Sequence, residues 1–160
     1  MKTNIKTLEQ TLKANEFAIT AEIPAPISAS ASEMEEKIDL LTGHVHAINV
    51  TDNPGATAHM SSLAGCSIVR NKGIDPIFQV TCRDRNRLAI QSDLMGASAL
   101  GINNVLTLAG DPVKNGDQPE AKAVFDVNSK KILSIMQSMN DLGETMSGRQ
   151  LQTKSNFFAG

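Results

Sequence analysis

The sequence predicts an α/β fold in which parallel strands alternate with helices. Four polar residues, Glu22, Thr51, Thr81 and Asp111, each lie at or near the end of a short apolar run. They recur about every 30 residues, which is the length of one strand–helix unit. Because chemistry in parallel α/β folds gathers at the carboxyl ends of the strands, the same spacing predicts where a site lies.

Each element follows from its own pattern. Apolar runs predict strands over residues 17–23, 45–51, 74–81 and 104–110, and SNFFAG at 155–160 predicts the opening of a fifth. Helical spacing predicts a first helix over residues 4–14, a second from a Ser32–Glu35 capping box to Gly43, and a third over 57–72. A fourth helix is predicted to begin at Asp84 or Asn86 and to end at Gly101. A fifth is predicted to begin near Asp126 or Asn128 and to end at Gly143. Their inward faces are predicted to carry Ile5, Leu8, Leu12, Met34, Ile38, Leu41, Met60, Leu63, Ala64, Ile68, Leu88, Leu94, Met95, Ile132, Ile135, Met136 and Met139.

Two architectures accommodate this alternation: an open doubly wound sheet, or part of a (βα)8 barrel. The open sheet usually has a glycine-rich first turn that holds a dinucleotide phosphate, whereas the first turn here is EIPAPIS, without glycine. The even unit length and the polar residue after each strand favour the barrel. A full barrel needs about 250 residues. The chain is therefore predicted to be a single domain over 1–160 that supplies four βα units and the start of a fifth strand.

The composition and charge of the chain limit the classes of function that the protein can have. The formal net charge is −2 and aromatic residues make up 3%, so neither a basic field nor a stacking surface is available for nucleic acid. No apolar run approaches the ~20 residues that span a bilayer, and the polar N-terminus does not resemble a signal peptide, which predicts a cytoplasmic protein. Cys66 and Cys82 are predicted to be reduced and buried, and the His44–His46 pair has no third ligand at an obvious spacing, so no metal is expected.

Two strand-end carboxylates are candidate catalytic residues. Glu22 follows FAITA and adjoins Ile23 and Pro24, so partial desolvation is expected to favour its protonated form and suit a general acid at neutral pH. Asp111 follows Gly110, where the backbone allows close approach of a ligand. The alternatives are an ordinary solvated carboxylate at Glu22 and a turn-capping aspartate at Asp111.

Two further strand ends carry polar side chains. Thr51 places a hydroxyl at a rigid position, and the following Asp52 and Asn53 are expected to make turn hydrogen bonds. In TCRDRN, Arg83 and Arg85 suggest an anionic ligand, while a salt-bridged loop with a helix cap explains them equally well.

The motifs AEIPAP, NVTDNPG, QVTCRDRN and LTLAGDP, in this order and spacing, resemble the bacterial methylenetetrahydrofolate reductase family from about residue 17 to the end. The resemblance implies a (βα)8 barrel that holds a flavin, usually FAD. A nicotinamide donor, NADH or NADPH, reduces the flavin. The flavin then passes hydride to 5,10-methylenetetrahydrofolate to give 5-methyltetrahydrofolate. It also implies a place in one-carbon metabolism and methionine biosynthesis.

The resemblance assigns roles to individual residues. Glu22 corresponds to the general acid that opens the five-membered folate ring, and Asp111 to the aspartate that contacts folate and tunes the flavin. Thr51 corresponds to a hydrogen-bonding partner of the flavin ring. Leu108, Ala109 and Gly110 would supply backbone contacts to the flavin.

Two positions depart from the family pattern. Many relatives carry histidine where this chain has Gln79, and arginine where it has Ala109. Both positions touch the ribityl or phosphate region of the flavin in relatives. FMN is therefore a possible cofactor besides FAD.

Three functions remain open at this stage: the flavin-dependent folate reductase, another pterin-binding barrel enzyme, and a non-catalytic half-barrel that needs a partner chain or a second copy. The predicted edges of strands one and five motivate the last, because open edges with apolar faces favour association. The 160-residue chain alone is expected to bind flavin poorly and not to turn over.

Overall fold

Five parallel strands form one sheet in the order β1-β2-β3-β4-β5 in the computed structural model, which describes residues 6–160. The strands are β1 Thr20–Ile23, β2 Ala47–Val50, β3 Asp75–Thr81, β4 Asn104–Leu108 and β5 Phe158–Ala159. The predicted alternation and the start of a fifth strand are confirmed. Each strand pairs with the next one in sequence, so this sheet has no reversal of strand order of the kind that marks a doubly wound fold.

In the described part of the chain, five helices accompany the sheet: α1 Leu8–Lys13, α2 Ser32–Leu41, α3 Ser62–Asn71, α4 Arg87–Ala99 and α5 Ser129–Asp141. Helices α2 to α5 connect successive strands, and two short 3₁₀ turns, Pro54–Ala56 and Val113–Asn115, follow β2 and β4. Within residues 6–160, no helix is both long and apolar enough to cross a bilayer.

The main core lies between the sheet and helices α2 to α5. Alternate strand residues such as Ile23, Val50 and Phe78 face these helices and are buried. Seven of the predicted inward helix residues are also buried there, namely Met34, Ile38, Leu94, Ile132, Ile135, Met136 and Met139. A further four, Leu41, Met60, Leu63 and Ile68, are partly buried against the same core.

The opposite face of the sheet carries Glu22, Asn49, Ile77, Gln79 and Leu106. Helix α1 covers this face toward the amino ends of the strands, where Leu8 is buried in a small cluster that includes Ile77. The amide of Leu8 also donates to Asp75 Oδ2 at 3.2 Å. This helix leaves the carboxyl ends of the strands accessible.

Several predicted details of the helices are wrong. The predicted capping box does not form, because Ser32 is already helical and the N-cap residue Ala31 has no side chain that can accept a hydrogen bond. Helix α3 begins at Ser62, later than predicted, because the chain after β2 first makes a 3₁₀ turn with left-handed residues. The caps of α4 and α5, by contrast, are confirmed: of the two residues predicted for each, Asn86 and Asn128 are the ones that cap.

Some predicted core positions are exposed because helical periodicity alone left the helix phase uncertain. In α4 the buried face is set by Ile90, Leu94 and Ala97. Predicted positions that fall outside the buried faces of their helices are Leu12, Ala64, Leu88 and Met95. Ile5 lies outside the described residues.

Gly65 of α3 packs directly against Val50 of β2, which yields a stability prediction. A Cβ at Gly65 would lie 2.7 Å from Val50 Cγ1 and 3.2 Å from Met34 Cε. We therefore expect Gly65→Ala to lower the free energy of unfolding by about 1–3 kcal/mol, because overpacking forces the neighbours to move. Chemical denaturation measures the change.

The control is Gly96→Ala in α4, where the new Cβ would lie 3.7 Å from Leu63 Cδ2, an ordinary contact. This variant should gain up to about 1 kcal/mol from its higher helix propensity. Equal stabilities of the two variants would contradict this account of the packing.

Candidate active site

A cleft of 350 Å³ opens at the carboxyl ends of β1 to β4. Every site residue predicted from the sequence lines it: Glu22, Thr51, Gln79, Leu108, Ala109, Gly110 and Asp111. These residues come from four different strands and meet because parallel strands place their carboxyl ends along one edge. Their placement in one cleft is observed, and their chemical roles remain predictions.

Glu22 lies near the end of β1 with its side chain exposed. The expected desolvation of the Glu22 carboxyl group is therefore wrong for the described structure. β1 is an edge strand, and no element covers the face of the sheet that carries Glu22 at the level of this residue. The carboxylate has one side-chain partner: Gln79 Nε2 donates to Glu22 Oε2 at 3.0 Å. Gln79 itself is buried, with 5% of its surface exposed.

Thr51 lines the cleft and carries a buried hydroxyl without a hydrogen-bond partner among the described residues. The residue is 6% exposed. Asn49 Oδ1, two residues earlier on the same face of the sheet, is also buried without a hydrogen-bond partner among the described residues. Buried polar groups are normally paired, so an orphaned hydroxyl on a residue that lines a cleft is suited to bind a ligand atom.

The turn after β4 forms the far wall of the cleft. Gly110 has φ of 90°, and a Cβ there would lie 3.0 Å from Arg83 Cβ and 3.3 Å from Thr81 Cβ. Only glycine meets both constraints without strain. Asp111 follows with an exposed side chain, whose Oδ2 accepts from the Gly55 amide at 2.9 Å. This hydrogen bond joins the loops that follow β2 and β4.

Arg83 is an internal structural residue of the cleft wall. Its side chain is 2% exposed and forms a two-point ion pair with Asp84, with both N···O distances 2.7 Å. It also donates to the carbonyl oxygens of Asn53 at 3.0 Å and Asp111 at 3.1 Å. The paired guanidinium lowers the pKa of Asp84. Arg83 thus ties the loops after β2, β3 and β4 together.

A second buried ion pair lies beside the first. Asp52 Oδ2 accepts from the Thr81 amide at 2.8 Å and from Arg85 Nη1 at 2.6 Å. Arg85 Nε lies 2.9 Å from Asp93 Oδ2 in α4. Of the two explanations for the arginines, the salt-bridged loop is the one that the structure shows.

The role of Asp52 was missed by sequence reasoning, which assigned it to a local turn. Four consecutive turn formers, DNPG, concealed it. One feature of the sequence did point to this pairing. Asp52 directly follows the second strand, and the arginine-rich segment TCRDRN lies at the same end of the third strand. An acid at that level can pair with a neighbouring arginine across the sheet.

The other candidate groups lie away from the cleft or are unreactive. Cys66 and Cys82 are free and buried, as predicted, and burial raises the pKa of both thiols. His46 lies at the amino end of β2, where its Nδ1 is 3.0 Å from the Ile19 amide nitrogen. Among residues 6–160, no three potential metal-binding side chains cluster together.

The Asp52–Arg85 pair gives a second stability prediction. Asp52→Asn should lower the free energy of unfolding by about 3 kcal/mol, because it leaves a mostly buried guanidinium with a weaker partner. The control is Asp39→Asn, whose ion pair with Lys72 lies at the surface and should contribute less than about 1 kcal/mol. Urea unfolding of both variants measures the difference, and equal losses would show that the buried pair has no special role.

Comparisons with known proteins agree with the motifs in the cleft. The family model described as methylenetetrahydrofolate reductase matches residues 7–148. The chain is also 26% identical over 121 residues to methylenetetrahydrofolate reductase 1 of Schizosaccharomyces pombe, an alignment that covers 74% of this chain. The chain spans 20% of the length of that relative. Because the family model covers most of the sequence, this chain belongs to the methylenetetrahydrofolate reductase family.

Proposed function

We propose that the protein reduces 5,10-methylenetetrahydrofolate to 5-methyltetrahydrofolate with a flavin and a nicotinamide donor, and that this chain forms the N-terminal part of the catalytic barrel. The observation that carries the proposal is the convergence of Glu22, Thr51 and the Gly110–Asp111 turn in one cleft of a chain of this family. They offer a carboxyl group, an orphaned hydroxyl and a backbone that a flat ring can approach.

The residues present fit a flavin. The unpartnered Thr51 Oγ1 can hydrogen-bond a ring heteroatom, and the backbone of Leu108, Ala109 and Gly110 borders the same cleft. Gln79 lies between these two walls. When bound, the flavin supplies the hydride that it receives from the nicotinamide donor.

The identity of the flavin depends on its phosphate contacts. Ala109 offers no charge where many relatives have arginine, and Arg83 is engaged by Asp84 and two carbonyl groups. Neither residue is therefore proposed to hold a phosphate. FAD is the cofactor that we propose from the family, and FMN fits the same residues.

Glu22 is proposed to supply the proton of the reaction. Protonation of a nitrogen of the five-membered folate ring breaks its bond to the bridging carbon and gives an iminium, which then accepts hydride. The exposed carboxylate can recover its proton from solvent after each turnover. Asp111, also exposed at the mouth of the cleft, is proposed to contact the folate.

The partners and setting follow from the same proposal. NADH or NADPH is the electron donor and the protein acts in the cytoplasm, in one-carbon metabolism that supplies methionine biosynthesis. The apolar side chains of Phe17, Ile19 and Ile27 near β1 are 86%, 47% and 71% exposed. We propose that further barrel strands, a second copy or a partner chain cover them, since exposed apolar patches of this kind favour association.

The acid role of Glu22 is tested by separating the two half-reactions in the full-length protein. Glu22→Gln should lower the rate of flavin reoxidation by methylenetetrahydrofolate by roughly 100-fold or more, because the amide cannot donate the proton. Flavin reduction by the nicotinamide donor should be unchanged. Stopped-flow absorbance follows both steps. Glu33→Gln on exposed α2 is the control, and equal loss of both half-reactions would exclude the general-acid role.

The flavin contact of Thr51 is tested by affinity. Thr51→Val keeps the shape of the side chain and removes the hydroxyl, so flavin should bind roughly tenfold more weakly. Thr107→Val, a buried threonine on the helix-facing side of β4, should leave the affinity unaltered. Fluorescence titration with FAD and FMN gives both constants. Unchanged binding in Thr51→Val would remove Thr51 from the flavin site.

A further inference from the structure

The contact between Gln79 and Glu22 is made across an intervening strand. Gln79 is on β3 and Glu22 is on β1, and β2 lies between them. Neighbouring strands are about 4.8 Å apart, so the two side chains must lean toward each other over β2 to bring Nε2 within 3.0 Å of Oε2. Glu22 has no other side-chain hydrogen-bond partner among residues 6–160.

The backbone of Gln79 is fixed independently of this contact. Its carbonyl oxygen accepts a hydrogen bond from Ser62 Oγ at 2.9 Å, on the buried side of the chain. Residue 79 is also in the middle of the β3–β4 ladder, paired with Leu106. The side-chain amide is therefore presented to the cleft from a rigid position, while its partner Glu22 is on an exposed edge strand.

An amide matches both states of a carboxyl group that transfers a proton. It donates through Nε2–H to the carboxylate and, after a half turn about its last bond, accepts through Oε1 from the carboxylic acid. A lysine or arginine at this position could only donate, and an aliphatic residue could do neither. Glu22 can thus keep its partner before and after the proton is transferred.

We propose that Gln79 is a positioning residue for Glu22 that holds the carboxyl group over the cleft in both protonation states. The inference rests on the proposed function, since it concerns the acid of that reaction. It also separates Gln79 from a purely flavin-binding role, because the polar end of its side chain is directed at Glu22.

The experiment compares Gln79→Met, which preserves length and apolar bulk, with Gln79→His, which restores a group that can donate or accept. In the full-length protein, Gln79→Met should slow flavin reoxidation by methylenetetrahydrofolate roughly 10- to 100-fold, because the acid is less well placed. Flavin reduction by the nicotinamide donor should be unchanged, and Gln79→His should recover most of the loss in the folate step.

Gln91→Met is the matched control. Gln91 is a buried glutamine of α4, 8% exposed, whose amide donates to the Arg87 carbonyl oxygen at 2.8 Å and accepts from the Met146 amide at 2.8 Å. Its replacement should reduce stability and leave the folate step unchanged. In a Glu22→Gln background, adding Gln79→Met should have no further effect on the folate step, because the two residues act together.

A spectroscopic measurement provides a readout that does not depend on turnover. The side-chain amide NMR signals of Gln79 should move as pH is varied through the ionisation of Glu22, and this movement should disappear in Glu22→Gln. Equal slowing of both half-reactions in Gln79→Met, or an undiminished effect of that change in Glu22→Gln, would overturn the positioning role.

The two proposals fail in different ways. If the wild-type protein reduces methylenetetrahydrofolate but the Gln79 amide NMR signals do not change with the protonation of Glu22, only the positioning role is overturned. If the signals respond to Glu22 but the wild-type protein does not reduce the folate, the proposed function is overturned, and with it the catalytic meaning of the contact.

Discussion

The buried charge network behind the cleft is the constraint on which the rest of the site depends. Arg83 and Asp52 are almost completely enclosed, and each joins the loop after β3 to a neighbouring loop. A buried charge is tolerated only when it is paired and hydrogen-bonded, so neither residue can be released without a large cost. The strand-end loops are consequently held in one arrangement before any ligand binds.

This arrangement decides which groups are available for chemistry. The network occupies Arg83 and Arg85, the Thr81 hydroxyl and the three acids that pair with the arginines, Asp52, Asp84 and Asp93. Glu22, Thr51 and the Gly110–Asp111 turn remain directed at the cleft. The division matches the needs of a preorganised site, in which a rigid second layer of residues positions a few reactive groups. At the mouth of the cleft, the hydrogen bond from the Gly55 amide to Asp111 further holds the loops after β2 and β4 together.

The strand–helix alternation, the parallel sheet and the strand-end positions of Glu22, Thr51 and Asp111 could be predicted from local patterns and one general rule, that parallel strands gather their carboxyl ends at one edge. The other predicted residues of the cleft, Gln79 and Leu108 to Gly110, were assigned to a flavin site only through the resemblance to the family. The partners of Arg83 were not predictable, because they depend on which loops approach each other in space, and the pairing of Asp52 was concealed by its turn-forming neighbours. The exposure of Leu88 was missed because periodicity does not fix the phase of a helix. The exposure of Glu22 was missed because desolvation was inferred from its apolar neighbours, although its strand was itself expected to lie at an edge.

The visible absorbance spectrum of the full-length protein decides whether the cleft belongs to a flavin-dependent folate reductase. We expect flavin bands in the purified protein or after addition of FAD or FMN. These bands should bleach with NADH or NADPH and return when 5,10-methylenetetrahydrofolate is added, with formation of 5-methyltetrahydrofolate. A well-folded, full-length protein that neither contains nor takes up flavin would contradict the account and favour another pterin-binding barrel enzyme or a non-catalytic barrel subunit.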